Sequence, residues 1–314
     1  MNTADHPDTP PAAHPDALFD AGWLGLRAAA DRAARAAHLE ARLSGWLRTR
    51  LAGTVRALRI VDLGTGSGAN PRHLAPRLPG PQRWTLIDHD PGLLDRARLA
   101  CAELRSAGGE AVEVAPLHRD LQLAASAFTG ADLVCASALL DLVDAHWLEL
   151  LAGSCAAARC AVLVTLSVDG RWRFIGTPQP RPDPEPDSAD DAFVRAAFNA
   201  HQRRDKGLGP ALGADAAATL AERLRAHGFT VHCAPSPWRL ALADPTQARL
   251  ARALIDGWRD AAIEQCPDAR ARISAWHARC VAVRLQAGVV LEVGHLDVLG
   301  LPAETTHRER AETP

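Results

Sequence analysis

The sequence points to a doubly wound α/β fold: a mostly parallel, Rossmann-like sheet of seven strands with a helical cap. Three observations carry that expectation. Between residues 58 and 170, five short apolar runs alternate with stretches of helical spacing. Each run is apolar on both sides, as strands covered by helices on two faces must be. The first run leads directly into a glycine-rich turn that opens a helix, the join at which open α/β sheets hold their ligands.

Taken in order, residues 1–16 are rich in Pro, Asp and Ala and residues 302–314 are polar, so both ends are expected to be disordered tails. Residues 17–57 form an N-terminal helical cap, since Leu39, Leu43, Trp46 and Leu47 recur at helical spacing in a stretch rich in Ala, Leu and Arg. The core over 58–170 contains the strands LRIVDLG, RWTLID, EAVEVAPL, ADLVCAS and AVLVTLS. Helices fall between them: one through Leu78, one from Pro91 to about Ser106, and one from about His146 to Ala157. Pro91 suits a first helical turn, where its fixed φ is pre-organised and no N–H is needed. Residues 171–213 are a linker and lid. Prolines at nearly every second position over 176–191 forbid helix and central strand there, and a helix from Asp190 to Arg204 follows. Residues 214–301 complete the core with a helix from Asp215 to His227, a sixth strand in FTVHCAPS and a seventh in GVVLEVGHLDVLGL. A helical insertion over about 238–287 separates those two strands and carries Trp238, Trp258 and Trp276.

Composition narrows the functional classes. A net charge of −2 over 314 residues gives no basic field to hold a phosphate backbone, so nucleic acid is not the expected partner. Hydrophobic content of 47% with 23% charged residues excludes disorder over the whole length. The seven cysteines form no CxxC pair and have no histidine at zinc-ligand spacing, so reduced thiols and no metal are expected. Neither a secretory leader nor a run of apolar residues long enough for a membrane span is seen, and a cytoplasmic location is expected. Lys206 is the only lysine and tyrosine is absent, so no phenol can act as acid or base.

The chemistry is concentrated in Ile60 to Asn70, IVDLGTGSGAN, where glycines let a ligand approach the backbone more closely than any Cβ would permit. Asp88 ends the next strand about 20 residues on, where a carboxylate can accept both hydrogen bonds of a ribose diol. Read as Gly64-x-Gly66-x-x-Ala69, the turn also satisfies a nicotinamide-dinucleotide fingerprint. Asp62 before the first glycine and the GxGxG spacing tilt against that reading.

VDLGTGSGAN followed by LIDHD resembles the class I S-adenosylmethionine-dependent methyltransferase family, over roughly residues 58–170 and more loosely in the last strands. The resemblance implies S-adenosylmethionine as cofactor. Asp62, Gly64, Thr65, Gly66, Gly68 and Asn70 would line its methionine and ribose portion, with Asp88 on the ribose hydroxyls and His89 near the adenine. Asp120 in HRDLQ would meet the adenine amino group with Leu121 beside it, and Ser137 would face the methionine part. Arg35 is the candidate for the cofactor carboxylate, because a guanidinium pairs with it bidentately. No Asn/Asp-Pro-Pro-aromatic tetrapeptide follows the fourth strand, where ASALLDLV stands, so the family's signature for methylating base amino groups is missing. The last two strands, which in the family make a near hairpin, are here interrupted by the helical insertion. With residues 18–52 and 190–207, that insertion is expected to shape the substrate pocket. Leu26, Arg27, Asp31, Ala34 and Arg35, and the segment Phe198 to Gly213, resemble patterns of uncharacterised bacterial small-molecule members.

Methyl transfer to a small-molecule acceptor, at oxygen or nitrogen, is an in-line substitution that needs alignment, exclusion of water and at most one base. The candidate catalytic residues are His201, Asp205 and Asp141, with His201 favoured as base because imidazole titrates near neutral pH. Trp172, Arg173 and Arg204 are candidate substrate contacts. Plainer roles stand beside these. Arg27, Asp31 and Arg35 fit an intrahelical ion-pair row, the run from His201 to Lys206 a solvated helix end, Asp141 and Asp144 a helix start, and the tryptophans core. Two other functions compete: an NAD(P)-dependent oxidoreductase, and a catalytically silent S-adenosylmethionine-binding sensor or partner protein.

Overall fold

The computed structural model describes residues 21–176, 189–205, 209–285 and 289–303. The expected N-terminal tail, residues 304–314 of the C-terminal one, most of the proline-rich linker, and Lys206 lie outside the described residues, while Pro302 ends the last strand. Helices α1 (Ala21–Ala34) and α2 (Ala37–Leu51) precede β1 (Leu58–Leu63), α3 (Ala69–Leu74), β2 (Gln82–Asp88), α4 (Pro91–Ala100), β3 (Val112–His118), β4 (Leu133–Ser137), α5 (Ala145–Ala158) and β5 (Ala161–Ile175). There follow α6 (Ala189–Gln202), α7 (Ala216–Ala226), β6 (Phe229–Pro235), β7 (Trp238–Ala241), α8 (Pro245–Gln265), α9 (Arg270–Arg279) and β8 (Val290–Pro302).

The sheet runs β3-β2-β1-β4-β5-β8-β6, with the short β7 paired to β8 beside that path. The first five strands pair in parallel, and β8 is antiparallel to β5, β6 and β7. This is the expected doubly wound, mostly parallel sheet, with an eighth strand added. Leu39, Leu43 and Leu47 of α2 with Leu74 and Leu94 bury one face. Leu148 and Leu151 of α5 with Leu220 and Leu224 of α7 bury the other. A third apolar cluster gathers Trp172, Trp238, Trp258 and Trp276 under α1, α6, α8 and α9. Asp90, Asp144 and Asp244 cap α4, α5 and α8 by accepting backbone N–H bonds, each cap being worth about 1 kcal/mol.

Three boundaries differ from expectation. The N-terminal helix breaks between Ala34 and Ala37. The helix from Pro91 ends at Ala100 rather than near Ser106. The fifth strand, expected to stop at Ser167, continues to Ile175 because irregular pairing at Ser167 and around Gly170 (φ +74°) lets it resume alongside β8. The insertion likewise begins with a strand: Trp238 and Leu240 point inward and Arg239 outward, the alternation of an edge paired to β8. Among the described residues no helix is long and apolar enough to cross a membrane, and no three His, Cys, Asp or Glu side chains gather to hold a metal ion.

Candidate functional site

The carboxyl ends of β1, β2 and β4 meet beneath α1. Gly64, Gly66 and Gly68 all have positive φ (61°, 54° and 79°), a conformation that side chains disfavour. A Cβ on Gly68 would lie 3.1 Å from the Ala97 backbone, so here glycine is also a packing requirement that seats the turn on α4. Leu24 of α1 lies over Gly66, 3.5 Å from where a Cβ would stand, and Leu139 lies over Gly64.

Asp62 is fully buried at the end of β1. The Asn70 amide donates to its Oδ1 at 2.6 Å, while Oδ2 and the nearby Thr65 hydroxyl have no hydrogen-bond partner. Desolvation, only partly offset by the hydrogen bonds it accepts, pushes the Asp62 carboxyl up to about 6. Arg35, 8% exposed, donates from Nη1 to Asn70 Oδ1 at 2.7 Å and from Nη2 to Ser137 Oγ at 3.0 Å. Burial lowers the pKa of its guanidinium, against the attraction of Glu40, Asp297, Asp31 and Asp62. The Arg27–Asp31 pair expected of an intrahelical ion-pair row is present at 2.9 Å, turned inward with Arg27 over the Trp238 ring.

Asp88, 5% exposed at the end of β2, accepts from Gly66 N at 2.8 Å and Asp90 N at 3.0 Å. Each oxygen keeps a further lone pair. His89 Nδ1 lies 3.4 Å from Asp88 Oδ1. Asp120 is exposed after β3, where it caps the following turn through Gln122 N, and the Leu121 carbonyl accepts from Trp147 Nε1 at 3.1 Å. The structure therefore brings Asp62, Thr65, Asn70, Asp88, Ser137 and Arg35 together around the turn, and sets Asp120 and Leu121 on the neighbouring strand end.

The substrate and lid residues are placed differently from expectation. Trp172 is buried and stacks on Trp258 at 4.4 Å, whereas Arg173 points to the opposite, outer face and pairs with Glu292. Adjacent strand residues face opposite ways, so the two cannot line one pocket. His201 Nε2 lies 3.0 Å from Glu264 Oε2, and Arg204 bonds to Glu264 and Gln265. These bonds tie α6, the expected lid, to α8, while the helix lying over the glycine turn is α1. Asp205 bridges to Pro210, and Asp141 sits in the turn Leu140–Leu142 after β4.

Two site residues were not anticipated. Cys135 Sγ lies 3.5 Å from Asp62 Oδ1, its thiol pushed well up by burial and by that carboxylate. Asp297 of β8 accepts from Ala36 N (2.9 Å), Leu166 N (2.8 Å) and Ser236 Oγ (2.6 Å), which holds Arg35's neighbour against the sheet. A carboxylate inside the apolar run LDVLGL was the available signal for it.

The donor set suits the cofactor that the sequence resemblance implies. A buried carboxylate with an unpartnered oxygen can receive an ammonium. A buried guanidinium using two of its five N–H hydrogens can receive a carboxylate, and Asp88 can receive a diol.

No protein-family model matches the sequence, and no curated protein matches it either. Among solved structures, similarity is found to an S-adenosylmethionine-dependent methyltransferase from Geobacter sulfurreducens in complex with S-adenosyl-L-homocysteine. That match has 16% identity over 87% of this chain and 93% of the other, with a TM-score of 0.39. The cyclopropane synthase MmaA2 from Mycobacterium tuberculosis matches with 13% identity over 82% of this chain and 83% of the other, with a TM-score of 0.40.

Proposed function

We propose that this chain is an S-adenosylmethionine-dependent methyltransferase acting on a small molecule. The observation that carries the reading is the buried row Asp62–Asn70–Arg35–Ser137 at the glycine turn, with the Asp88 carboxylate closing its far side. Two carboxylates and one guanidinium favour a ligand that carries positive charge near Asp62, a carboxylate near Arg35 and a diol near Asp88. The Asp62 carboxylate beneath the turn repels a pyrophosphate, and the Gly66 N–H that a dinucleotide would use is already bonded to Asp88. The sheet argues the same way, since the usual dinucleotide order 3-2-1-4-5-6 is all parallel, whereas here an antiparallel β8 stands between β5 and β6. The pairing of β6 with β8 supplies the near hairpin that the resemblance implies, with the cap inserted into its connection.

When bound, S-adenosylmethionine supplies a methyl group activated by its sulfonium. The chain's own task is then to bind, orient and keep water out. Asp62 and Arg35 hold the ammonium and the carboxylate that share the α-carbon of the amino-acid portion. Asp88 fixes the ribose, and Leu24 and Leu139 cover the turn from above. Nearly enclosed groups of this kind hold a ligand in one pose, which is the larger part of the catalysis that an in-line transfer needs. The overall charge of −2 gives a nucleic-acid acceptor no support.

Calorimetric titration with S-adenosylmethionine, S-adenosylhomocysteine, NAD and NADP tests the reading. Binding of the first two and not the last two is the expected result. Binding of NAD or NADP in their place would sink it.

A further inference from the structure

Strand β8 turns two polar side chains toward the cap, His295 and Asp297, only 2% and 1% exposed and two residues apart on one face. Asp297 is fully engaged, by Ala36 N, Leu166 N and Ser236 Oγ. Those bonds place this stretch of β8 against the α1–α2 junction, next to Arg35 of the cofactor site. His295 lies one step farther along, opposite Val168 in the middle of β5, a few residues beyond the carboxyl end of β4. Its Nδ1 is 3.0 Å from the Val293 carbonyl, which can only accept, so Nδ1 carries the proton and Nε2 keeps a lone pair. No partner for Nε2 is found among the described residues.

Aromatic and charged side chains surround this ring. Trp238 on β7 has its ring 4.7 Å from His295, and Arg27 of α1 lies 5.1 Å over the Trp238 ring. Arg27 pairs with Asp31 on α1, and Asp169 approaches from β5; these are the charged groups that act on the imidazole. The indole N–H groups of Trp238 and Trp172 are both buried with no acceptor. Packing alone leaves these hydrogen-bonding atoms unused, whereas a ligand hydroxyl can serve them.

We infer that His295 is the general base of the acceptor site, and that the acceptor is a small molecule presenting a hydroxyl between α1 and the β7–β8 strands. The inference rests on the methyltransferase reading of the neighbouring cofactor site. In the step, the acceptor O–H bond breaks and its proton passes to His295 Nε2. The oxygen forms the new O–C bond, and the C–S bond breaks with its electron pair left on sulfur. The imidazolium returns the proton to water after product leaves. Burial, helped by the Arg27 charge, lowers His295 to about 4, so the ring is neutral and open for this role at neutral pH. So weak a base suits oxygen, whose proton becomes strongly acidic as the O–C bond forms. A methylated alkylamine would keep its proton against it.

The test uses the full chain saturated with S-adenosylhomocysteine, with phenol as the hydroxyl probe and toluene as its shape control. Nitrogen-15 spectra are expected to show His295 Nε2 unprotonated, shifting when phenol is added and not when toluene is, with Nδ1 unmoved. His295→Asn keeps a donor for the Val293 carbonyl and should bind S-adenosylhomocysteine within a factor of about two, while losing phenol at least about tenfold. Trp238→Phe, which keeps an aromatic ring but removes the indole donor, should also weaken phenol and serves should His295→Asn fail to fold. A protonated Nε2, an Nε2 unmoved by phenol, or unchanged phenol affinity in the variants overturns the assignment while the cofactor reading stands. Failure of S-adenosylhomocysteine itself to bind overturns both.

Discussion

A carboxylate with no exposed surface is costly, and Asp62 bears that cost at the end of an apolar strand. Its carboxyl, raised by desolvation to about 6 from 3.8, corresponds to about 3 kcal/mol of stability lost when the group is ionised in the folded chain. Replacing the charge while keeping the shape should recover part of it. Asp62→Asn is expected to raise unfolding stability at pH 7.5 by about 1 to 3 kcal/mol in denaturant titrations, and to weaken S-adenosylmethionine at least about tenfold by calorimetry. A variant that is more stable and binds as well as the parent would leave Asp62 as a purely structural residue. Asp88→Ala acts differently, because Asp88 is held by two backbone N–H groups at the turn. It should cost about 1 to 3 kcal/mol of S-adenosylmethionine affinity through the lost charged acceptor, and unaltered affinity in a folded variant would remove Asp88 from the ribose.

Asp297 joins three elements that have little else in common. Its carboxylate meets the start of α2 through Ala36 N, the irregular point of β5 through Leu166 N, and the β6–β7 connection through Ser236 Oγ. Leu166 has φ +58°, a conformation costing about 1 kcal/mol or more for a residue with a Cβ, so its N–H bond is part of what holds β5 in shape. Asp297→Ala leaves two buried N–H groups without acceptors and should lower stability by about 2 to 4 kcal/mol in urea. Hydrogen exchange should then rise together at Ala36 and Leu166, and a rise confined to β8 would show that the three elements are held independently. The same contacts explain what the sequence disclosed. Strands β1, β2, β4 and β5 were legible because each is a local, largely buried apolar run, β3 at the sheet edge by its place in the alternation, and Asp62, Asp88 and the glycine turn because strand, turn and helix are contiguous. Arg35 was reachable through the chemistry of its guanidinium. Asp297 and His295 were not, because each is a single polar residue in an apolar strand. The partners that explain Asp297 lie 131 and 261 residues away along the chain. The strand from Trp238 to Ala241 and the continuation of β5 past Gly170 were missed for a related reason: both exist only because β8 is there to pair with them.

Opposed titrations across the fold set its response to acid. His295 is lowered to about 4 by burial, so its neutral form contributes stability that is complete above the unfolded value of 6.5 and is lost as pH falls toward 4. Asp62 is raised, so it does the reverse: stability is withheld above about 6 and returned as pH falls toward 3.8. Burial moves Asp297 in the same direction as Asp62. Between pH 6 and 4 the two effects on the ligand-free chain therefore offset one another. Ligand binding has no such compensation, because an ammonium at Asp62 requires the ionised carboxylate and so draws on a fraction that shrinks about tenfold per pH unit below about 6. The expected outcome is an S-adenosylmethionine affinity that is level above pH 7 and falls by about tenfold per unit below about 6, with a proton released on binding near pH 6. Thermal shift at a fixed ligand concentration reads this directly, since about 1,000-fold excess over Kd stabilises by about 4 kcal/mol and each tenfold loss removes about 1.4. In Asp62→Asn the pH dependence should vanish along with most of the affinity. A parent whose affinity stays level from pH 7.5 to 5 would show that the ammonium is held elsewhere, and the unpartnered oxygen of Asp62 would then need another donor.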